Sequence, residues 1–252
     1  MSDFYTEVPR ELIASRRDHA AGTQFPRHRH ARGQFACAAS GAISVHTPEG
    51  NWLVPPRGAC WLPPGMEHGM RMHGQVTMLN VFADAAAIAR LRLPSGCRVL
   101  DTTPLLRQLL DEAVRTDPLY APDSRAGRLM ALLLDEIAAM PALPLNAPLP
   151  HDARLARLCT GLLQQPHLHD DLDAVANTAG MSRRTFTRLF RAQTGLGFAQ
   201  WRQQACLLAA IARLADGQAV TRVALDLGYA SPSAFTAAFR RVLGTVPSAY
   251  NP

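Results

Sequence analysis

The last hundred or so residues repeat themselves, and this repeat restricts the fold of that region more than any other feature of the chain. Val175 to Met181 (VANTAGM) aligns with Val223 to Tyr229 (VALDLGY) at an offset of 48, after which Phe186, Phe190, Arg191 and Gly195 align with Phe235, Phe239, Arg240 and Gly244 at an offset of 49. One residue has therefore been gained in the turn. Each copy reads as a short helix ending at a Gly, a tight turn, a Ser at the cap position (Ser182, Ser231), and then a longer helix. That order and spacing predict two helix-turn-helix units.

In the first long helix Phe186, Leu189 and Phe190 fall at i, i+3 and i+4 and must face a core, which turns Arg184, Thr187, Arg188 and Arg191 outward. Charge supports a polyanionic partner. Residues 151–252 hold 11 Arg against 6 Asp and no Glu, an excess of +5, whereas residues 1–150 hold 15 Arg against 14 acids, an excess of +1. No acid occurs between Asp173 and Asp216. A charge run is more often a solvated face, but the pairing of the repeat with this acid-free stretch favours double-stranded DNA. Arg in a major groove reads guanine O6 and N7, and Thr contacts a thymine methyl. The second long helix points Phe235, Ala238, Phe239 and Val242 inward and offers short residues outward, so it is expected to anchor phosphates and read shape. The DNA-facing set is then Arg183, Arg184, Thr187, Arg188 and Arg191 in one copy, and Ser231, Ser233, Thr236, Arg240 and Arg241 in the other. A helical pattern from Phe198 to Asp216, about 28 Å long, separates the copies.

Upstream, Pro141 to Pro150 (PALPLNAPLP) has four prolines and no charge, which suits neither a helix interior nor a central strand. It is read as a linker over 141–150 between an N-terminal domain at 1–140, for which a resemblance given below implies a sensor, and a DNA-binding domain at 151–252. Residues 20–83 have the Gly, Pro, Val and aromatic punctuation of an all-β unit. Two amphipathic helices are predicted from about Pro104 to Asp117 and from about Ser124 to Met140, and their apolar faces are expected to form a homodimer contact. The fold class is α+β. No apolar run reaches the length of a membrane span, and the N-terminus lacks the apolar block of a secretory signal, so the expected location is cytoplasmic, with no membrane partner. Five scattered cysteines without a CxxC pair are read as reduced core thiols.

The C-terminal residues, above all Gly228 to Tyr250 (GYASPSAFTAAFRRVLGTVPSAY), resemble the DNA-binding domain of the AraC/XylS family of transcriptional regulators. The resemblance covers about 100 residues. It implies a bipartite domain with base contacts at Arg184, Thr187 and Arg188 and at Ser233, Ala234 and Ala237, control of transcription, commonly activation, and RNA polymerase as a partner. The first half carries a second resemblance. Gly22, His28, His30, Gln34 and Gly41, followed by Gly58, Pro63, Gly65 and His68, are similar to the two cupin motifs, with Gln34 where a Glu is usual and one residue fewer between Gly58 and Pro63. This implies a small β-barrel of the kind that senses a small-molecule effector.

Alternate residues of a strand share a face, so His28 and His30 can converge, and His68 can complete a nitrogen set from another strand. Zn, Ni, Co or Fe would accept such ligands, so a divalent metal such as Zn or Ni is considered for the site, and pocket histidines satisfied by hydrogen bonds are the alternative. Replacing the carboxylate by Gln34 leaves a metal's charge less neutralised and argues against an iron oxygenase. The expectation is a regulator without enzymatic activity; the competing reading is a metal-dependent cupin enzyme with an accessory helical domain. His19, His46 and His73 lie outside the motifs and are read as surface or turn residues. No P-loop, GxGxxG or Ser-His-Asp spacing supports nucleotide or acyl chemistry.

Overall fold

A computed structural model describes residues 8–91, 93–169 and 171–250. The first seven residues of the expected sensor segment lie outside that set. The chain divides into two compact units, one formed by residues up to 45 together with 54–144, the other by 46–53 together with residues from 145 onward.

The first unit is built on antiparallel strands. Its larger sheet has the order β1 (Leu12–His19), β8 (Val76–Ala83), β3 (Gly33–Ala38), β6 (Gly58–Leu62), β9 (Arg98–Asp101) and β10 (Ala142–Leu143). A second sheet sets β4 (Ala42–Thr47), β7 (His68–His73) and β2 (Gln24–His28) side by side. The β-part is thus two sheets rather than one closed barrel. Every residue of β3 and β6 is buried, because both faces of these strands are covered.

Three helices complete the unit: α1 (Ala85–Leu91), α2 (Pro104–Ala113) and α3 (Arg125–Ala139). Thr103 caps α2 by accepting from the Leu106 N–H at 3.1 Å, with Pro104 in the first turn where its missing donor costs nothing. Ser124 caps α3 in the same way through the Gly127 N–H. The apolar faces expected to pair two copies are consumed internally: Leu106, Leu110, Met130, Leu133, Leu134 and Ile137 pack with Phe35, Trp61, Leu79 and Val81 in one core. Leu105 and Leu132 remain exposed. The sheet supplies the apolar surface that each helix needs, so the helices do not require a second chain to become buried.

The second unit contains β5 (Gly50–Val54) up to Leu53, β11 (Asn146–Pro148) and six helices, α4 (Ala153–Gln164), α5 (Leu172–Thr178), α6 (Arg183–Thr194), α7 (Phe198–Ala215), α8 (Val220–Asp226) and α9 (Pro232–Leu243), followed by a 3₁₀ turn at Pro247–Tyr250. The proline-rich stretch is neither helix nor central strand. Residues 142–143 pair with β9 and residues 146–148 pair with β5, each as an outermost strand. The core of the unit is aromatic. Phe186, Phe190, Phe198 and Trp201 meet with ring centroids 5.2–6.1 Å apart, and the Trp201 indole N–H donates to the Pro148 carbonyl at 2.8 Å. α7 spans 18 residues, about 27 Å, and joins the two repeat copies.

Candidate nucleic-acid interface and histidine centre

Both repeat copies build the turn and the long helix with the same local chemistry, but only the first has a side-chain cap on its short helix, since Ala219 opens α8. Asp171 caps α5 by accepting from the Asp173 N–H. The chain then turns through Gly180 at φ 66°, and Ser182 opens α6 by accepting from the Thr185 N–H. Gly195, at φ 74°, closes α6 and donates to the Arg191 carbonyl. In the second copy Gly228, Ser231 and Gly244 take the same parts around α8 and α9. The first turn spans residues 179–182 and the second 227–231, which locates the inserted residue.

On α6 Phe186 and Phe190 are fully buried, and Arg184, Arg188 and Arg191 stand on the exposed side. Among the described residues no ion pair or side-chain hydrogen bond engages these three arginines. Arg183 differs, because its guanidinium pairs with Asp173 at 3.2 Å. The Thr187 hydroxyl donates back to the Arg183 carbonyl, so the methyl group is the part of this side chain left for a ligand. On α9 Arg240 and Arg241 are exposed, and with Pro232, Ser233, Thr236 and Ala237 they line an open groove of about 720 Å³. The Thr236 hydroxyl is turned inward to the Pro232 carbonyl at 2.8 Å, and Ser231 is occupied as the helix cap, accepting from the Ala234 N–H at 3.1 Å. Neither hydroxyl is freely presented at the surface.

The histidine centre belongs to the first unit. His28 on β2 lies directly opposite His68 on β7, and His30 follows two residues on, just beyond the end of β2, with its ring against the other two. Ring centroids are 4.4 Å apart for His28 and His68, 4.8 Å for His28 and His30, and 5.2 Å for His30 and His68. One nitrogen from each lies within 4.8 Å of the other two. The β2 register shifts between Phe25 and His28, beside Pro26, which cannot donate to the ladder.

Hydrogen bonds fix two of the tautomers. His28 Nδ1 donates to the Pro26 carbonyl at 2.9 Å and His68 Nδ1 to the Met66 carbonyl at 2.8 Å; a carbonyl only accepts, so Nδ1 carries the proton on each ring and Nε2 holds the lone pair. Burial pushes the His68 imidazole down to about 4, which keeps it neutral near pH 7. Its Nε2 is buried without a hydrogen-bond partner. Gln34 sits opposite Phe82 on the neighbouring strand, and the Phe82 ring is 5.5 Å from His30. The Gln34 amide donates to Asn80 at 2.8 Å, which leaves its Oε1 buried and unpartnered. Two orphaned acceptors and two imidazoles, His28 and His68, each oriented by a backbone carbonyl, fit a divalent cation, because a backbone carbonyl on the far ring nitrogen is the usual support of a metal-binding His.

Two features were missed at the level of sequence. Asn80 aims Gln34 across the sheet, a pairing 46 residues apart that local patterns do not expose. His73, expected at the surface, is buried at the end of β7 and paired with the Ser44 hydroxyl of β4 at 2.8 Å, although alternation places it on the face of exposed Arg71.

Comparison with known proteins places these geometries. The model of the AraC-like ligand binding domain matches residues 13–138, and that of a helix-turn-helix domain matches residues 175–251. The HTH-type transcriptional regulator NimR of Escherichia coli strain K12 is 32% identical over 225 residues, covering 89% of this chain and 81% of NimR. The chain belongs to the AraC family of transcriptional regulators. This AraC-family member is a DNA-binding transcription regulator with an N-terminal ligand-binding domain. The regulatory protein SoxS of Salmonella typhimurium is 35% identical over 81 residues, covering 32% of this chain and 76% of SoxS. The DNA-binding domain of AdpA, solved in complex with a target DNA, is 38% identical, covering 38% of this chain and 86% of that one with a TM-score of 0.35. Among the described residues of this AraC-family chain, no helix is long and apolar enough to cross a membrane.

Proposed function

We propose that this regulator binds a bipartite operator through both helix-turn-helix units, with Arg184, Thr187 and Arg188 reading bases and Arg183, Arg191, Arg240 and Arg241 holding phosphates. Ser233 and Ala237 approach the second half-site with little base discrimination. The observation that supports this most directly is the unpaired stripe of Arg184, Arg188 and Arg191 on a helix whose opposite face is buried aromatic core. The Thr187 methyl suits a thymine methyl, since its hydroxyl is already engaged. The sensor part, expected at 1–140, holds a small-molecule effector at His28, His30, Gln34 and His68. A divalent ion held there would present a Lewis-acidic centre to the effector. All four ligands are neutral, so the ion's charge would select an anionic or carbonyl-bearing molecule. The absence of a carboxylate from this set favours sensing over turnover, and the protein is read as a regulator and not an enzyme. It acts in the cytoplasm as a homodimer that recruits RNA polymerase, with Leu105 and Leu132 among the exposed apolar groups open to a second copy.

Arg188→Ala tests the central claim. It should cost about 1 to 3 kcal/mol on the operator selected by the wild-type protein while hardly changing binding to unrelated duplex. The log-log salt dependence of wild-type binding should have a slope near about −5, for roughly six neutralised phosphates. Equal loss on both DNAs would reduce Arg188 to a phosphate contact.

A further inference from the structure

The repeat makes Gly180 and Gly228 equivalent, yet the fold treats them differently. Both take a left-handed backbone, with φ of 66° and 84°. A Cβ on Gly180 would meet open space, whereas one on Gly228 would lie 2.6 Å from Nε2 and 2.7 Å from Cε1 of His167. His167 comes from the connection between α4 and α5, which leads directly into the first helix-turn-helix unit, and Gly228 lies in the turn of the second. The His167 imidazole is seated on the bare backbone of that turn, in space that only a residue without a side chain leaves open.

Two hydrogen bonds secure the contact. The Leu168 N–H donates to the Leu227 carbonyl at 3.1 Å, satisfying an acceptor at the end of α8 that the helix leaves over. The His169 N–H donates to His167 Nδ1 at 3.2 Å, which fixes the ring from within its own loop and leaves the proton on Nε2, toward Gly228. α7 packs against both units, meeting the first through Phe198 and Trp201 and the second through the Arg213–Asp226 ion pair at 3.8 Å. The His167 loop adds a direct contact between the units that does not run through α7.

We propose that His167 and Leu168 form a clasp on the second turn that fixes the orientation of α9 relative to α6, and so sets the spacing of DNA half-sites that both units can occupy at once. His167 is thus a positioning residue, expected to touch no base itself. The inference rests on the reading that both units engage DNA.

The test uses full-length protein and duplexes selected by the wild type from a random-sequence pool. Binding is compared on the selected site, on the same site with its second half scrambled, and on a version with two base pairs inserted between halves. Wild type should gain affinity from the second half and lose it on insertion. His167→Ala should reduce that gain by about tenfold, leave binding to the scrambled-half DNA unchanged, and tolerate the insertion. Gly228→Ala should behave likewise and Gly180→Ala, which bears similar backbone strain without the clash, should not. The double variant His167→Ala/Gly228→Ala should bind the full site better than Gly228→Ala alone. Equal weakening on all three duplexes by His167→Ala, or no recovery in the double variant, overturns the clasp while leaving bipartite binding intact. A wild type that gains nothing from the second half overturns both.

Discussion

Phe190→Ala measures how firmly the recognition helix is seated. The ring is fully buried and lies 5.5 Å from Phe186, 5.4 Å from Phe198 and 5.8 Å from Trp201, so it is the shared member of the cluster that joins α6 to α7. Truncating a ring in such a site removes its transfer energy and leaves a cavity, together about 3 to 5 kcal/mol. Lost edge-to-face contacts, each worth about 0.5 to 1.5 kcal/mol, place the variant in the upper part of that range. A domain of this size is stable by about 5 to 15 kcal/mol, so most of the margin is at stake. In urea, with m near about 1.5 kcal/mol/M, the C-terminal transition should move down by about 2 to 3 M, followed by Trp201 fluorescence and far-UV circular dichroism. The transition of the N-terminal unit should stay in place, and operator binding should survive at low temperature where the variant remains folded. A shift below about 0.5 M would mean that the cluster is loosely packed and that α6 is held by something other than aromatic contact.

Further outcomes follow from the same structure. His68→Ala should weaken Zn or Ni binding by more than about 100-fold in competition with a chromophoric chelator, since supporting groups alone are worth 10- to 100-fold, while His73→Ala should leave it unchanged; equal affinities would dismiss the centre. Gly127→Ala should lower the melting temperature of the N-terminal unit through a cost of about 1 to 3 kcal/mol or more, because a Cβ there would lie 1.8 Å from the Pro122 carbonyl oxygen. Burial pushes the Cys37 and Cys159 thiols up to about 12, so at pH 8 roughly one in ten thousand is thiolate and iodoacetamide should label both only after denaturation. Labelling of native protein at either residue would contradict the packing around it.

The helical half was legible because its signals are local. Ser182 and Ser231 cap, Gly195 and Gly244 stop, and the phenylalanines at i and i+4 decide which arginines face outward, all within one or two turns of chain. The histidine centre was half legible. The spacing of His28 and His30 foretold that their rings would meet, although β2 ends at His28, but the direct opposition of His28 and His68, and the Asn80 amide that holds Gln34, depend on register between distant strands. The apolar faces of α2 and α3 show the limit of periodicity. The pattern reveals that a face will be covered, and the tertiary fold chose the protein's own sheet as the cover.

The prolines that end the N-terminal part have an effect on association. β10 and β11 each pair on one side only, and the segment that holds them carries Pro141, Pro144, Pro148 and Pro150. A strand arriving from another molecule would find amide donors missing along these rims, so the rims discourage uncontrolled strand-to-strand growth. Contact between two copies along these rims would therefore have to rest on side-chain packing rather than on a backbone ladder.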